Sequence, residues 1–211
     1  MYLCAGIMEI KDRILQSAKA LFMRNGIKSV SMDDIATHLA MSKKTLYKWF
    51  ENKDQIVHAV MVHFLAHEEA DCAGMAADAD NALEELFQMM EWSKQLMTNI
   101  HPSIFYDLQK YHPQAWQVWV DHKNQFILEM ITDNLRRGIS EGLYRADLDI
   151  EVLSRLRLAQ IELAFNAELY PPRQFDPGRV QSICLEHFMI GSATLRGHKL
   201  INEYRQVTEQ E

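Results

Sequence analysis

Cysteine is scarce in this chain of 211 residues. Three stand at 4, 72 and 184, too scattered and odd in number for a disulfide framework, and they fit reduced thiols. No stretch approaches the roughly 20 consecutive apolar residues of a membrane-spanning helix. The start, Met1 to Glu9, lacks the positive charge and apolar run of a signal peptide, and the lipoprotein-like Leu3-Cys4-Ala5-Gly6 has no apolar run before it. These absences predict a cytoplasmic protein with no membrane partner. Chemistry-bearing motifs are missing too. There is no Gly-rich phosphate loop, no nucleophile elbow and no Cys/His set at metal spacing, so neither an enzyme nor a cofactor or metal is expected. His63 and His67 lie four apart beside Glu68, but the Glu that follows the first His in zinc-peptidase helices is absent and no cysteine cluster joins them. They read as an exposed or interdomain pair.

What is present is ordinary globular material, 48% apolar and 24% charged, at a length that suits one or two small domains. The net charge of −7 argues at first against a polyanionic partner, but its distribution reverses the argument. Residues 1–60 hold nine Lys or Arg against six Asp or Glu, a balance of +3, while 61–211 hold 13 against 23, a balance of −10. A basic head sits on an acidic body, and the body discourages a polyanion from binding anywhere but the head.

The most informative stretch is 31–53. Ser31 followed by Asp33 and Asp34 predicts a capped helix start, and Ile35, Ala36 and Leu39 recur at helical spacing. The pattern stops at Ala40-Met41-Ser42, where Ser42 is again an N-cap candidate. A second short helix, Lys43 to Trp49, sets Leu46 and Phe50 four apart for burial and leaves three lysines for solvent. Neither helix is long enough to be stable alone. Two short helices joined by about three residues, the second basic at its start, form a helix-turn-helix whose second helix enters the DNA major groove. Lys43, Lys44 and Thr45, with Ser42 capping them, are the expected base readers, and Ser31, Tyr47, Lys48 and Lys53 the expected phosphate anchors.

The flanking residues extend the pattern: Ile14-Leu15-x-x-Ala18-x-x-Leu21-Phe22, Asn25-Gly26, Ser29 to Ala36, Ser42 to Phe50, and Asn52-Lys53-Asp54-Gln55-Ile56. Over Ile10 to about Val60 the chain resembles the tetracycline-repressor (TetR) family of bacterial one-component regulators. Lys44 departs from it, since such families often have glycine there, so base preference does not transfer.

Around this unit, residues 8–25 read as a first helix with Ile10, Ile14, Ala18, Leu21 and Phe22 on one stripe, ended by Asn25-Gly26. A fourth helix, capped by Asn52 and running to about Cys72, links head and body. The expected division is a DNA-binding domain over 1–53, joined by the helix 53–72, and an effector-binding and dimerisation domain over 54–211, all-α with about nine helices in total. Body helices are expected at 82–99 behind a capping-box-like Asn81, at about 102–110, and from Pro113 to about Arg137 with Gly138 and Gly142 bracketing its end. Two more are expected at 149–169 capped by Asp149, and at 177–197 opened by Asp176-Pro177 beyond Pro171-Pro172. The last two are apolar on more than one side, which suits a four-helix interface between two chains carrying Leu153, Leu156, Ile161, Ile183 and Phe188. The resemblance implies the same homodimer.

The resemblance also implies a small-molecule effector pocket in the body. Soft and flat side chains at Met90, Phe105, Trp116, Trp119, Phe126 and Phe165 are candidates for its wall, and Gln95, His122 and Gln160 for orienting the ligand. A Met or aromatic stripe is equally what a plain core looks like. No cationic pair stands out, which favours an apolar or aromatic effector. The function expected is a repressor that binds a palindromic double-stranded operator as a homodimer and is released by that effector. An effector-free or architectural DNA-binding protein with the same head is the alternative.

Overall fold

The computed structural model describes residues 2–98, 100–166, 168–171 and 173–206, with side chains from residue 10 onward apart from 98. The expected helix end at Asn99 and the breaker Pro172 lie outside the described residues. Among those described there is no strand, only an isolated bridge between Tyr144 and Ala193. The helices are α1 (Tyr2–Asn25), α2 (Met32–His38), α3 (Lys43–Leu46), α4 (Lys53–Asp78), α5 (Ala82–Thr98), α6 (Ile104–Tyr111) and α7 (Pro113–His122). A π turn (Lys123–Ile127) follows, then α8 (Leu128–Ser140), α9 (Ile150–Leu163), α10 (Pro177–Ser192) and α11 (Leu195–Arg205).

The chain forms two compact units: Met1–Glu68 with Asn99–Asp121, and Glu69–Thr98 with His122–Glu211. The backbone passes between them three times, within α4, at the end of α5 and at the end of α7. Each unit has its own apolar core. Unit 1 buries Ile14, Ala18 and Phe22 of α1, Ile35 of α2, Leu46 and Phe50, and Ile56 and Val57 of α4, together with Ile104, Leu108 and Ala115 of α6 and α7. These are the stripes that the helical spacing predicts, extended by α6 and α7. Unit 2 buries Leu83, Leu86 and Met89 of α5, Ile131 and Leu135 of α8, Leu158 of α9, and Leu185, Phe188 and Met189 of α10.

Several expected boundaries shift for identifiable reasons. α4 runs through Gly74 to Asp78 rather than stopping near Cys72; Gly74 is exposed and touches nothing, so it only lowers local helix propensity. The long helix expected from Pro113 is interrupted by the π turn and ends at Ser140, with Gly142 left-handed beyond it (φ 69°). Gly138 lies inside that helix, not at its end. A Cβ there would stand 2.1 Å from the Tyr144 ring, which packs against the bare backbone and donates its hydroxyl to Asn134 Oδ1 at 3.1 Å. α9 stops at Leu163 because the Asn166 side chain accepts the backbone N–H groups of Glu168 and Leu169, a local alternative to further helix. The last expected helix is two. Ala193 is extended, the Thr194 hydroxyl caps α11 by accepting from Gly197 N–H at 3.1 Å, and Gly197 leaves room for the Leu143 carbonyl.

Candidate nucleic-acid interface

The α2–α3 segment is held by its caps. Ser31 Oγ accepts the Asp34 N–H at 3.2 Å while Asp34 accepts the Ser31 N–H at 2.7 Å, a reciprocal capping box. These bonds from the Ser31 hydroxyl and backbone hold the Asp34 carboxyl below its usual range. Ser42 Oγ caps α3 by accepting the Thr45 N–H at 3.1 Å and also bonds the Thr45 hydroxyl at 2.8 Å. Between them Ala40 N–H donates to Thr37 O and Met41 N–H to Ala36 O, the paired bonds of a Schellman ending, with Ala40 itself left-handed at φ 50°. With Leu46 fully buried and Phe50 nearly so, the segment's orientation is set by the core of unit 1.

Its outward side carries Lys43, Lys44, Tyr47 and Lys48, all exposed, with Thr45 half-buried among them. Lys43 is paired with Asp33 of α2 at 2.5 Å, and that hydrogen bond raises its pKa. Lys53 behaves differently. Its ammonium reaches back to the carbonyls of Ile27 and Lys28, and burial lowers its pKa, so it fixes the corner after α1.

That corner is gripped from α6, a support that sequence reasoning missed because it assigned 102–121 to the body. Asp107, nearly fully buried, accepts the Lys28 backbone N–H at 2.9 Å and the Ser103 hydroxyl at 3.1 Å. His101 N–H donates to Met23 O at 2.7 Å, and His112 Nδ1 meets Asp54 Oδ1 at 2.6 Å at the start of α4. Gly26 closes the joint: it is left-handed (φ 80°), and a Cβ there would stand 2.6 Å from Ser103 Oγ. A buried acid at 107 was the only available signal, and nothing in sequence marks an Asp as buried.

A family profile described as "Bacterial regulatory proteins, tetR family" matches residues 14–60, the span that holds these caps, the exposed lysines and the buried stripes. Over that span the sequence is similar to the TetR family. Among relatives, the uncharacterized HTH-type transcriptional regulator YvaF of Bacillus subtilis is 34% identical over 105 residues, 49% of this chain and 55% of YvaF. The chain thus spans about half the length of that relative. The HTH-type transcriptional repressor KstR2 of Mycolicibacterium smegmatis is 28% identical over 148 residues, 69% of this chain and 72% of KstR2. Among solved structures, a TetR-family regulator of Agrobacterium tumefaciens shares the fold at a TM-score of 0.71 with 16% identity, covering 89% of this chain and 99% of that one.

The nine candidate effector residues divide between the units. Phe105, Trp116 and Trp119 belong to unit 1, where Phe105 and Trp119 meet edge to face at 5.4 Å and both tryptophans pack on the core. Met90, Gln95, His122, Phe126, Gln160 and Phe165 belong to unit 2. His122 stacks on Phe126 at 5.3 Å and bonds Glu69 Oε1 at 3.0 Å, and burial lowers its pKa. Of the interface candidates, Leu156 and Ile183 stand 48% and 55% exposed, and Leu153 and Ile161 are half-buried, whereas Phe188 is part of the core of unit 2. His63 and His67 are exposed on α4, and no group of three His, Cys, Asp or Glu able to hold a metal occurs among the described residues. Among those residues, too, no helix is long and apolar enough to cross a membrane.

Proposed function

We propose that this chain is a cytoplasmic transcriptional repressor that binds a palindromic double-stranded operator as a homodimer and is released by a small-molecule effector. The observation that carries the reading is the outward side of α3, which ends at Leu46 rather than the expected Trp49, and of the turn after it: Lys44, Tyr47 and Lys48 are exposed on a segment whose cap and buried Leu46 fix its direction. Rigid placement of cations is what groove recognition requires, because loosely held lysines attract phosphate but cannot choose between bases. Lys43, Lys44 and Thr45 take the base edges, while Ser31, Tyr47 and Lys48 take the phosphates. The bonds of Lys53 to Ile27 and Lys28 give it a positioning part rather than a direct phosphate contact. The head over 1–53 is the DNA-binding domain, with α6 as its buttress, and the remainder serves effector and partner. Pairing runs through Leu156 and Ile183 with Leu153 and Ile161 at their edge; Phe188 supports this surface from within. Two linked heads bind two half-sites about 34 Å apart without a second association cost.

The test is a salt series on duplexes selected from random DNA. If roughly eight phosphates are neutralised by the pair, log affinity falls against log salt with a slope near −7. Lys48→Ala should lower that slope by about one on every sequence, and Lys44→Ala should change which sequences are selected. A slope near zero refutes the reading, and equal losses across all duplexes for both variants refute the division of roles.

A further inference from the structure

Lys28 stands exposed in the corner after α1, and Lys110 stands exposed in the last turn of α6. Their ammonium groups converge on one tyrosine. Lys28 Nζ lies 5.1 Å from the centre of the Tyr111 ring and Lys110 Nζ 5.4 Å from it, while Lys110 Nζ also lies 5.0 Å from the centre of the Tyr106 ring. The two rings meet edge to face at 6.3 Å. Each lysine donates to a phenol oxygen, Lys28 to Tyr111 at 3.3 Å and Lys110 to Tyr106 at 2.6 Å. An ammonium only donates, so each hydroxyl keeps its own proton for a further acceptor. The bond from Lys28 draws the Tyr111 hydroxyl below its usual pKa, which strengthens it as a donor, and the bond to Tyr106 raises the pKa of Lys110. No acid joins the group. Among the described residues neither lysine takes part in an ion pair, and Asp107 on the same helix is buried, accepting the Lys28 N–H and the Ser103 hydroxyl. Two like charges held over one ring repel each other, and an anion beside them relieves that repulsion.

The place of the group selects the anion. Lys28 stands three residues before Ser31, the cap of α2 and an expected phosphate anchor, and three residues of chain span at most about 11 Å. Its backbone is fixed on both sides, the N–H by Asp107 at 2.9 Å and the carbonyl by the Lys53 ammonium at 3.5 Å. Phosphates follow one another about 3.4 Å apart along the axis of each strand, so a duplex held at Ser31 carries further phosphates within that distance. We propose that Lys28, Lys110, Tyr106 and Tyr111 form a second grip on the operator, taking backbone phosphates beyond those met by α2 and α3 and reading no base. This rests on the DNA-binding reading above and extends its contact surface onto α6. That helix then has two parts: the buried Asp107 props the corner, and the exposed face meets the duplex.

The experiment measures affinity against salt for the full-length protein on duplexes selected from random DNA. It compares the wild type with Lys28→Gln combined with Lys110→Gln, and with Lys28→Arg combined with Lys110→Arg. Each lysine–phosphate contact contributes about 0.9 to the slope of log affinity against log salt. The glutamine pair should therefore lower that slope about twice as far as Lys48→Ala does, weaken every duplex by a similar factor and leave the selected sequences unchanged. The arginine pair keeps both charges and should keep the wild-type slope. Both variants should melt with the wild type, because exposed charges contribute little to folding. An unchanged slope in the glutamine pair overturns the proposal, as does an arginine pair that loses as much slope as the glutamine pair. Altered sequence selection overturns the assignment to phosphates. If the glutamine pair does not fold, Lys110→Gln alone decides, with half the slope change expected. A wild-type slope near zero sinks the DNA-binding reading and this one together, whereas a steep wild-type slope that the glutamine pair leaves intact sinks this proposal only.

Discussion

In unit 1 the large apolar side chains left in water are Tyr47, Val62, Tyr106 and Tyr111, three of them carrying a hydroxyl. In unit 2 they are Val152, Leu156, Leu169, Ile183, Ile190 and Leu195, aliphatic throughout, with Tyr204. The charged groups differ in the same sense. Unit 1 closes the buried Asp107 with two hydrogen bonds and turns Lys43, Lys44 and Lys48 outward, while in unit 2 the buried Arg157 has an Nη1 with no hydrogen-bond partner among the described residues. On the proposed function, a hydrated polyanion would meet a rigid polar surface that needs no completion. The exposed aliphatic side chains of unit 2 are instead what the proposed pairing with a second copy would cover.

The largest effect that could break this contrast is at Leu156 and Ile183. If their exposure exists for a second copy, Leu156→Asp combined with Ile183→Asp removes about 3–5 kcal/mol of apolar burial per interface, more than a hundredfold in the dimer constant. Sedimentation should show monomers, with operator affinity falling in parallel and the melting of unit 1 unchanged. A wild-type protein that sediments as a monomer would show that no second copy covers the aliphatic surface of unit 2.

Next in size is Gly26→Ala, which asks whether unit 1 is as self-contained as its hydrogen bonds suggest. The substitution places a Cβ in a left-handed residue, at a cost of about 1–2 kcal/mol, and drives it toward Ser103 Oγ. Unit 1 should lose about 2–3 kcal/mol, read as earlier denaturant unfolding. Loss confined to α6, with α1 and α2 still protected from hydrogen exchange, would show that the corner does not depend on this joint.

Legibility in sequence follows the range of the interaction. The caps at Ser31, Ser42, Asp149 and Asp176 and the left-handed Gly26 were all readable, because a cap is a contact over three residues between types that advertise it. The stripes of α1 and α4 were readable for the same reason. The Asp107 to Lys28 bond joins residues 79 apart, and no local pattern reports it. The π turn and the break at Ala193 also escaped, since apolar spacing continues through both. Exposure was the least legible property. Phe188 and Ile183 look alike in sequence, yet one is core and the other faces water.

The smallest effect concerns Ala40, where unit 1 departs from its own economy. A Schellman ending commonly places glycine at the left-handed residue; here an exposed alanine holds φ 50°. Glycine would relieve about 1–2 kcal/mol of Cβ strain and give back about 0.4–1 kcal/mol through the freer unfolded chain. Ala40→Gly should therefore stabilise the head by about 0.5–1 kcal/mol, seen as slower hydrogen exchange in α2, with the selected DNA sequences unchanged. Destabilisation would mean that the alanine methyl makes contacts worth more than the strain. Stabilisation accompanied by altered sequence selection would mean that the strained turn itself aims α3, and that the rigidity credited to the caps is shared with Ala40.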